Sequence, residues 1–303
     1  MGMKSIRPVD KDLFRAIAKT VLPPTIRHWI RIQQFTRQDR ELRKPHRRLF
    51  RDHLRPTDVF LVGHPKSGYV WLAYMLAVVM ERNFEKNVTL ANVSDFIPTI
   101  HAEDSKVAYY AQFPAPRIFR NENPVFPELY PRTIYLVRDP RAVLISYYHH
   151  FVHDRVKDDW SLQAFVDEML TYGCIKHFEP YLIRWDRHVL NWLKRAKYQP
   201  VKIVRYEEMI DNRRKVLQEV IEFAGIKCTD KEIAQAVERG SFENMRKNED
   251  IYGAESYFGS KGERGYFVRR GEVDGWKEEM AQDLAKRIES EFSEDMKKVG
   301  YLR

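Results

Sequence analysis

The stretch from Asp58 to Met80 constrains this chain more than any other. A short apolar run, Val59-Phe60-Leu61-Val62, ends at Gly63; His64-Pro65-Lys66-Ser67-Gly68 follows, and a second apolar run opens at Trp71. That order predicts a buried strand, a tight turn carrying one lysine, and a helix. Backbone N–H groups at such a helix start point outward, and the helix dipole adds partial positive charge, so the turn is built to hold an anion. Lys66 precedes Gly68, so the GxxxxGK(S/T) spacing of an ATP-binding loop is absent. The turn suits a phosphate-like group, but not the usual nucleoside triphosphate.

Beyond this unit the pattern keeps alternating. Branched and aromatic runs predict strands over 58–63, 116–120, 133–137 and 201–205. Apolar residues at helical spacing predict helices over 69–81, 140–152, 161–171, 180–195, 213–224, 230–239 and 277–296. The expected fold is α/β, with a P-loop-like central parallel sheet flanked by helices on both faces. Ligands of such sheets sit at the carboxyl ends of the strands, which puts the 63–68 turn, Arg138 and Tyr206 in one crevice. Nothing from residue 56 to 303 reads as a linker, so that span is expected to be one domain.

Residues 1–55 differ: they are rich in Arg and Gln, with Leu13, Phe14, Ile17 and Val21 at helical spacing before Pro23-Pro24. A second basic helix is expected from Thr25 to about Leu42. This basic helical arm packs on the core, mediates self-association, or makes peripheral contact with a membrane surface; the sequence leaves the three open. Residues 247–266 are polar and carry Gly253, Gly259, Gly262 and Gly265, the composition of a mobile loop.

The net charge of +9 and a pI near 9.3 favour an anionic ligand, a nucleic acid or an anionic membrane surface, unless they merely reflect a basic exterior. The arm holds few aromatics (Trp29, Phe35) and no nucleic-acid motif is present, so no nucleic-acid partner is expected. Cys174 and Cys228 form no CxxC pair, which argues against a disulfide framework or a zinc site. His149, His150 and His153 have helical spacing, but no cysteine or matched carboxylate set completes a metal site, so no metal is expected. The first 20 residues show no secretory signal, and the longest apolar stretch, Trp71 to Met80, is far short of the roughly 20 residues that span a bilayer. A cytoplasmic protein without a transmembrane segment is expected.

Two further clusters carry chemistry. Thr133 to Val137 is a strand by composition; Arg138 follows, then Asp139 as a helix N-cap and Pro140 as the first helical residue, with Ser146 about two turns in. Arg138 and Ser146 either grip one phosphate, as fork and hydroxyl, or Arg138 makes a structural ion pair. Arg269-Arg270-Gly271, followed by Gly275-Trp276-Lys277, is either an anion-binding segment or a solvated basic loop.

Taken in this order, the three segments resemble the cytosolic-type sulfotransferases that use 3'-phosphoadenosine 5'-phosphosulfate (PAPS). The family's 5'-phosphosulfate motif resembles Pro65-Lys66-Ser67-Gly68 through Tyr69, Val70 and Trp71. Its 3'-phosphate motif resembles Arg138-Asp139-Pro140-Arg141 through Ser146. Its closing segment resembles Arg269-Arg270-Gly271 with Gly275-Trp276-Lys277. The resemblance implies that Trp71 packs on the adenine, that Tyr206 touches its edge, and that Ser241, Phe242 and Met245 match a Ser-Phe-x-x-Met segment in which Phe242 covers the other adenine face. It implies PAPS as co-substrate, PAP as product, and a small acceptor bearing a hydroxyl or amine. The segments 81–115, 149–190 and 247–266 would shape the acceptor pocket, with Phe96, Tyr109, Tyr110, Phe113, Phe151, Trp160 and Tyr181 as candidate walls.

The resemblance implies in-line transfer, and a loose transition state would leave the protein positioning and charge stabilisation, with Lys66 expected on the departing phosphate. Two departures from the family pattern stand out. Glu122, in Arg120-Asn121-Glu122-Asn123-Pro124, occupies the place of the family's histidine and is the candidate base, with His64, His101 and His149 as alternatives. Tyr69-Val70 stands where the family carries hydroxyl or amide residues: Val70 offers no side-chain donor to the 5'-phosphate, and the Tyr69 hydroxyl lies far from its own backbone. A binding protein of the same fold without turnover is the alternative these departures leave open.

Overall fold

The computed structural model describes residues 47–48, 50–100, 109–122, 124, 126–155, 160–173, 183–254 and 266–303, apart from the side chains of residues 109 and 152–155. The expected arm up to residue 46, His101, Cys174, Tyr181, the side chain of His153 and residues 255–265 of the expected loop lie outside them.

Val59–Gly63 forms β1, Ile118–Asn121 β2, Arg132–Val137 β3 and Val201–Arg205 β4. They make one sheet in the order β2-β1-β3-β4, and every pair is parallel. The strands are apolar runs rather than alternating ones because both faces are covered. Successive β1 side chains show it: Phe60 and Val62 pack into one cluster with Tyr135 and Val137, while Val59 and Leu61 pack into the other with Ile134 and Leu136. The first face is covered by α2 (Pro140–Arg155), α3 (Leu162–Tyr172), α4 (Trp185–Arg195) and α10 (Gln282–Lys298). The second is covered by α1 (Tyr69–Met80), α6 (Arg213–Ala224) and α7 (Asp230–Arg239). α1 is buried almost all round, as its composition requires: no charged residue interrupts YVWLAYMLAVVM.

The register fixes the site. Val62 lies beside Asn121 and Tyr135, Gly63 beside Leu136, and Val137 beside Arg205. All four strands therefore end at one edge. The residues that follow them directly are the 64–68 turn, Glu122, Arg138 and Tyr206.

Tyr206, directly after β4, opens α5 (Tyr206–Asp211). Two expectations need correction. Residues 247–252 are the last turns of α8 (Phe242–Tyr252) rather than loop, and Gly253, at φ 80°, closes them. The single helix expected over 277–296 is two, α9 (Trp276–Glu279) and α10, because Met280 is extended and buried between them.

The entry to β1 is tied by a fully buried ion pair. Asp58 accepts from Arg117 Nε at 2.8 Å and Nη2 at 2.6 Å, and from the Arg55 amide at 2.8 Å. Arg117 Nη2 also donates to the His53 carbonyl at 2.8 Å.

Candidate functional site

The turn after β1 is shaped by two left-handed residues, Lys66 at φ 66° and Gly68 at φ 92°. Only Gly68 escapes the Cβ penalty, and it must: a Cβ there would meet Tyr206 Cδ2 at 2.6 Å. Gly68 is also the N-cap of α1 and supplies no side-chain acceptor, so the first N–H groups of α1 are left for another anion. Ser67 is wholly buried, and its Oγ has no hydrogen-bond partner among the described residues.

A cavity of about 430 Å³ opens over this turn. Lys66, Gly68, Tyr69, Val70 and Trp71 line it from β1 and α1, Glu122 from the end of β2, Arg138 and Ser146 from β3 and α2, and Tyr206 from α5. Phe242, Met245, Arg269, Arg270 and Gly271 close it from the far side. Of the sequence-assigned residues, Ser67 and Ser241 alone do not line it. Ser241 instead caps α8, accepting from the Asn244 amide at 3.2 Å. The described aromatics expected to wall an acceptor pocket do not line it either. Phe96 and Phe151 are core, Phe113 packs on Phe84 and Tyr110, and Trp160 packs on Phe151 and Phe165. Apolar side chains fill interiors as readily as they wall pockets.

The aromatic wall is pre-set. Trp71 Nε1 donates to the Gly240 carbonyl at 2.8 Å, and its ring meets Tyr206 at 5.7 Å, inclined by 61°. The Arg138 guanidinium lies 4.0 Å from the Tyr206 ring, and its Nη1 donates to the Lys66 carbonyl at 3.1 Å. Among the described residues no carboxylate pairs with Arg138, so the ion-pair reading of it fails. Gly271, at φ 68°, lies against Phe242: a Cβ there would sit 2.7 Å from Phe242 Cδ2.

The family model described as Sulfotransferase domain matches residues 56–300. The chain belongs to the sulfotransferase family. Among its relatives, the amine sulfotransferase of Oryctolagus cuniculus is 26% identical over 259 residues, 80% of this chain and 82% of that protein. The 3-beta-hydroxysteroid sulfotransferase of Cavia porcellus is 25% identical over 255 residues, covering 80% and 84%. Among solved structures, the mouse sulfotransferase SULT7A1 complexed with PAP superposes with a TM-score of 0.60 at 25% identity, covering 80% of this chain and 84% of that one. Retinol dehydratase, solved with androsterone and the inactive cofactor PAP, shares the fold at 20% identity and a TM-score of 0.58.

In this sulfotransferase the two family departures meet. The Tyr69 hydroxyl donates to Glu122 Oε1, and the Glu122 carbonyl lies 3.3 Å from His188 Nε2. Tyr69 therefore orients the candidate base instead of reaching back to its own turn. His64 is not that base: it is 1% exposed, does not line the cavity, and hydrogen-bonds the Pro65 carbonyl through Nδ1 at 3.1 Å. His149 is committed to Glu279.

Glu279 is a residue the motifs did not reveal. Its Oε1 accepts from Arg269 Nη1 at 2.6 Å and from Arg270 Nη1 at 3.0 Å, and its Oε2 faces His149. Burial pushes the Glu279 pKa up, but the hydrogen bonds from Arg269, His149 and Arg270 outweigh it and hold the carboxyl below its ordinary range. Arg270 also meets Glu278 through Nη2 and Glu272 through Nε, the latter at 3.1 Å. Its guanidinium is ringed by carboxylates.

Under the turn lies a second polar cluster. His188 Nδ1 is 3.0 Å from the Tyr135 hydroxyl, and its ring stands perpendicular to His64 at 5.7 Å. Burial holds His64 down to about 4 and His188 to about 3, the latter also repelled by His64. Both titrate near 6.5 when unfolded. The fold is thus at full strength above pH 6.5 and weakens as pH falls toward 4, by about 3 kcal/mol from His64 alone. Urea midpoints of His188→Gln measured from pH 7 to pH 4 should fall with a shallower slope than the parent's; identical slopes would remove His188 from this account.

Proposed function

We propose that this chain transfers a sulfuryl group from PAPS to a hydroxyl or amine of a small acceptor, releasing PAP. One observation carries the reading: Lys66, Arg138 and the 269–271 segment, from three separate regions of the sequence, line a single cavity beside Trp71, Tyr206 and Phe242. The residues present suit the nucleotide. The uncapped start of α1 and the unpartnered Ser67 Oγ favour a 5'-phosphate. Arg138, free of any described carboxylate, with Ser146 and Arg269, favours the 3'-phosphate. Trp71, Tyr206 and Phe242 would enclose the base. When bound, PAPS supplies the sulfuryl group. Lys66 places an ammonium where charge grows on the leaving phosphate, and Glu122, oriented by Tyr69, takes the acceptor proton. Residues 56–303 would form this unit, with 1–55 a separate arm. Among the described residues no helix is long and apolar enough to cross a membrane, which is consistent with action in the cytoplasm.

The second reading, nucleotide binding without turnover, is favoured by Val70, which has no side-chain donor, and by a Tyr69 hydroxyl already committed to Glu122. Incubation with labelled PAPS and a panel of alcohols, phenols and amines separates the two. Transfer to any acceptor supports the first; stabilisation by PAP with no transfer supports the second; stabilisation by neither PAP nor PAPS sinks both.

The base assignment has its own test. Glu122→Gln keeps an acceptor for Tyr69 and removes the proton acceptor, so kcat should fall by about 10²-fold with PAP affinity unchanged. Turnover equal to the parent's would move the base elsewhere.

A further inference from the structure

The cavity wall holds a cation that neither the motifs nor the proposed mechanism uses. Arg213, the first residue of α6, lies with its guanidinium 5.2 Å from the Trp71 ring. Nη1 makes one long hydrogen bond, 3.3 Å to the Val237 carbonyl on α7. Among the described residues Nη2 and the buried Nε have no hydrogen-bond partner, and no carboxylate lies within ion-pair distance. Arg269 and Arg270 are neutralised by Glu279 and its neighbours, whereas Arg213 is half-buried and makes no ion pair among the described residues. Burial keeps its pKa below the ordinary arginine value, which the fields of Glu243 and Tyr206 only partly offset.

Resting on the nucleotide reading above, we infer that Arg213 is a further binding residue, one that donates to the edge of the purine base. A tether between α6 and α7 would need only one of its five N–H donors, and no charge. Leaving a guanidinium partly desolvated with donors unspent is unfavourable unless something else takes them. Its position selects the partner. Arg213 sits on Trp71, beside Gly240 and Tyr206, at the aromatic end of the cavity, while Arg138 stacks on Tyr206 and reaches the lysine turn. A purine offers ring nitrogens as acceptors there. A guanidinium on one side of the tryptophan also reinforces stacking through its attraction to the ring.

Titration calorimetry on the full chain tests this with two probes: PAP, and an abasic ribose 3',5'-bisphosphate that keeps both phosphates but lacks the purine. In Arg213→Gln the affinity for PAP should drop about tenfold while that for the abasic probe stays the same. Arg213→Lys, which keeps charge but loses the fork, should show a smaller loss confined to PAP. Equal losses for both probes would assign Arg213 to a phosphate; no loss for either would make it a tether; each outcome overturns the inference. Unfolding midpoints taken without nucleotide show whether the variants fold. If the parent itself fails to bind PAP, the nucleotide reading is what fails, and this inference falls with it.

Discussion

Replacing Lys66 with methionine is expected to lower the rate of sulfuryl transfer by about 10²–10³-fold, with the fold and the affinity for PAP close to the parent's. Lys66 sits at φ 66°, where any side chain with a Cβ is strained, and methionine inherits that strain without adding to it. Its stem is apolar, as the neighbourhood requires: Lys66 Nζ lies 5.3 Å from the Phe267 ring. The affinity for PAP should persist because Arg138, the α1 amides and the aromatic wall are untouched. On the mechanism proposed, what disappears is the ammonium at the point where charge develops on the leaving oxygen, an interaction stronger in the transition state than in the ground state. Lys66→Arg should recover part of the rate, since it restores charge but not a compact point donor. A methionine variant with near-parental kcat would remove Lys66 from the chemistry.

Charge is unevenly balanced among the basic segments of the cavity. Arg138 meets no carboxylate among the described residues, whereas Glu272, Glu278 and Glu279 hold Arg269 and Arg270 across the opening. A 3'-phosphate at this end must share these arginines with their carboxylates or displace them. Among the described residues Arg269 pairs with Glu279 alone, so it is the better placed of the pair.

Most of the sheet was legible because each strand is a short run of branched and aromatic residues buried on both faces, and burial shows in composition. The order of strand, turn and helix from Val59 to Met80 was legible for the same reason, and with it the crevice, since parallel strands end together. What stayed hidden depends on residues far apart in the chain. Tyr69 meets Glu122 across 53 positions and Glu279 meets His149 across 130; no local pattern encodes either. The cap that Ser241 gives α8 was not read from the sequence, because a serine before a helix serves as a cap as readily as it meets a ligand. Arg213 carried no signal at all: it is one of two adjacent arginines opening a helix, and only folding sets it against Trp71. The break at Met280 was missed because its apolar side chain fits the helical period on either side.

Removing one member of the Asp58–Arg117 pair should cost about 3–5 kcal/mol. The two side chains are 0% and 1% exposed, so whichever survives is left charged in the core. The pair also ties three segments together. Asp58 leads into β1 and accepts the Arg55 amide, Arg117 leads into β2 and passes its main-chain oxygen to the Val59 amide, and its guanidinium reaches the His53 carbonyl. Asp58→Asn retains the shape but weakens both charged bonds, and Arg117→Met leaves the carboxylate unpaired. The double replacement Asp58→Leu with Arg117→Met should be milder than the sum of its parts, because no lone charge remains buried. Urea midpoints at pH 7 provide the comparison. A loss below about 1 kcal/mol in Arg117→Met would mean that solvent reaches this pair, and that the β1–β2 entry is held by the ladder hydrogen bonds alone.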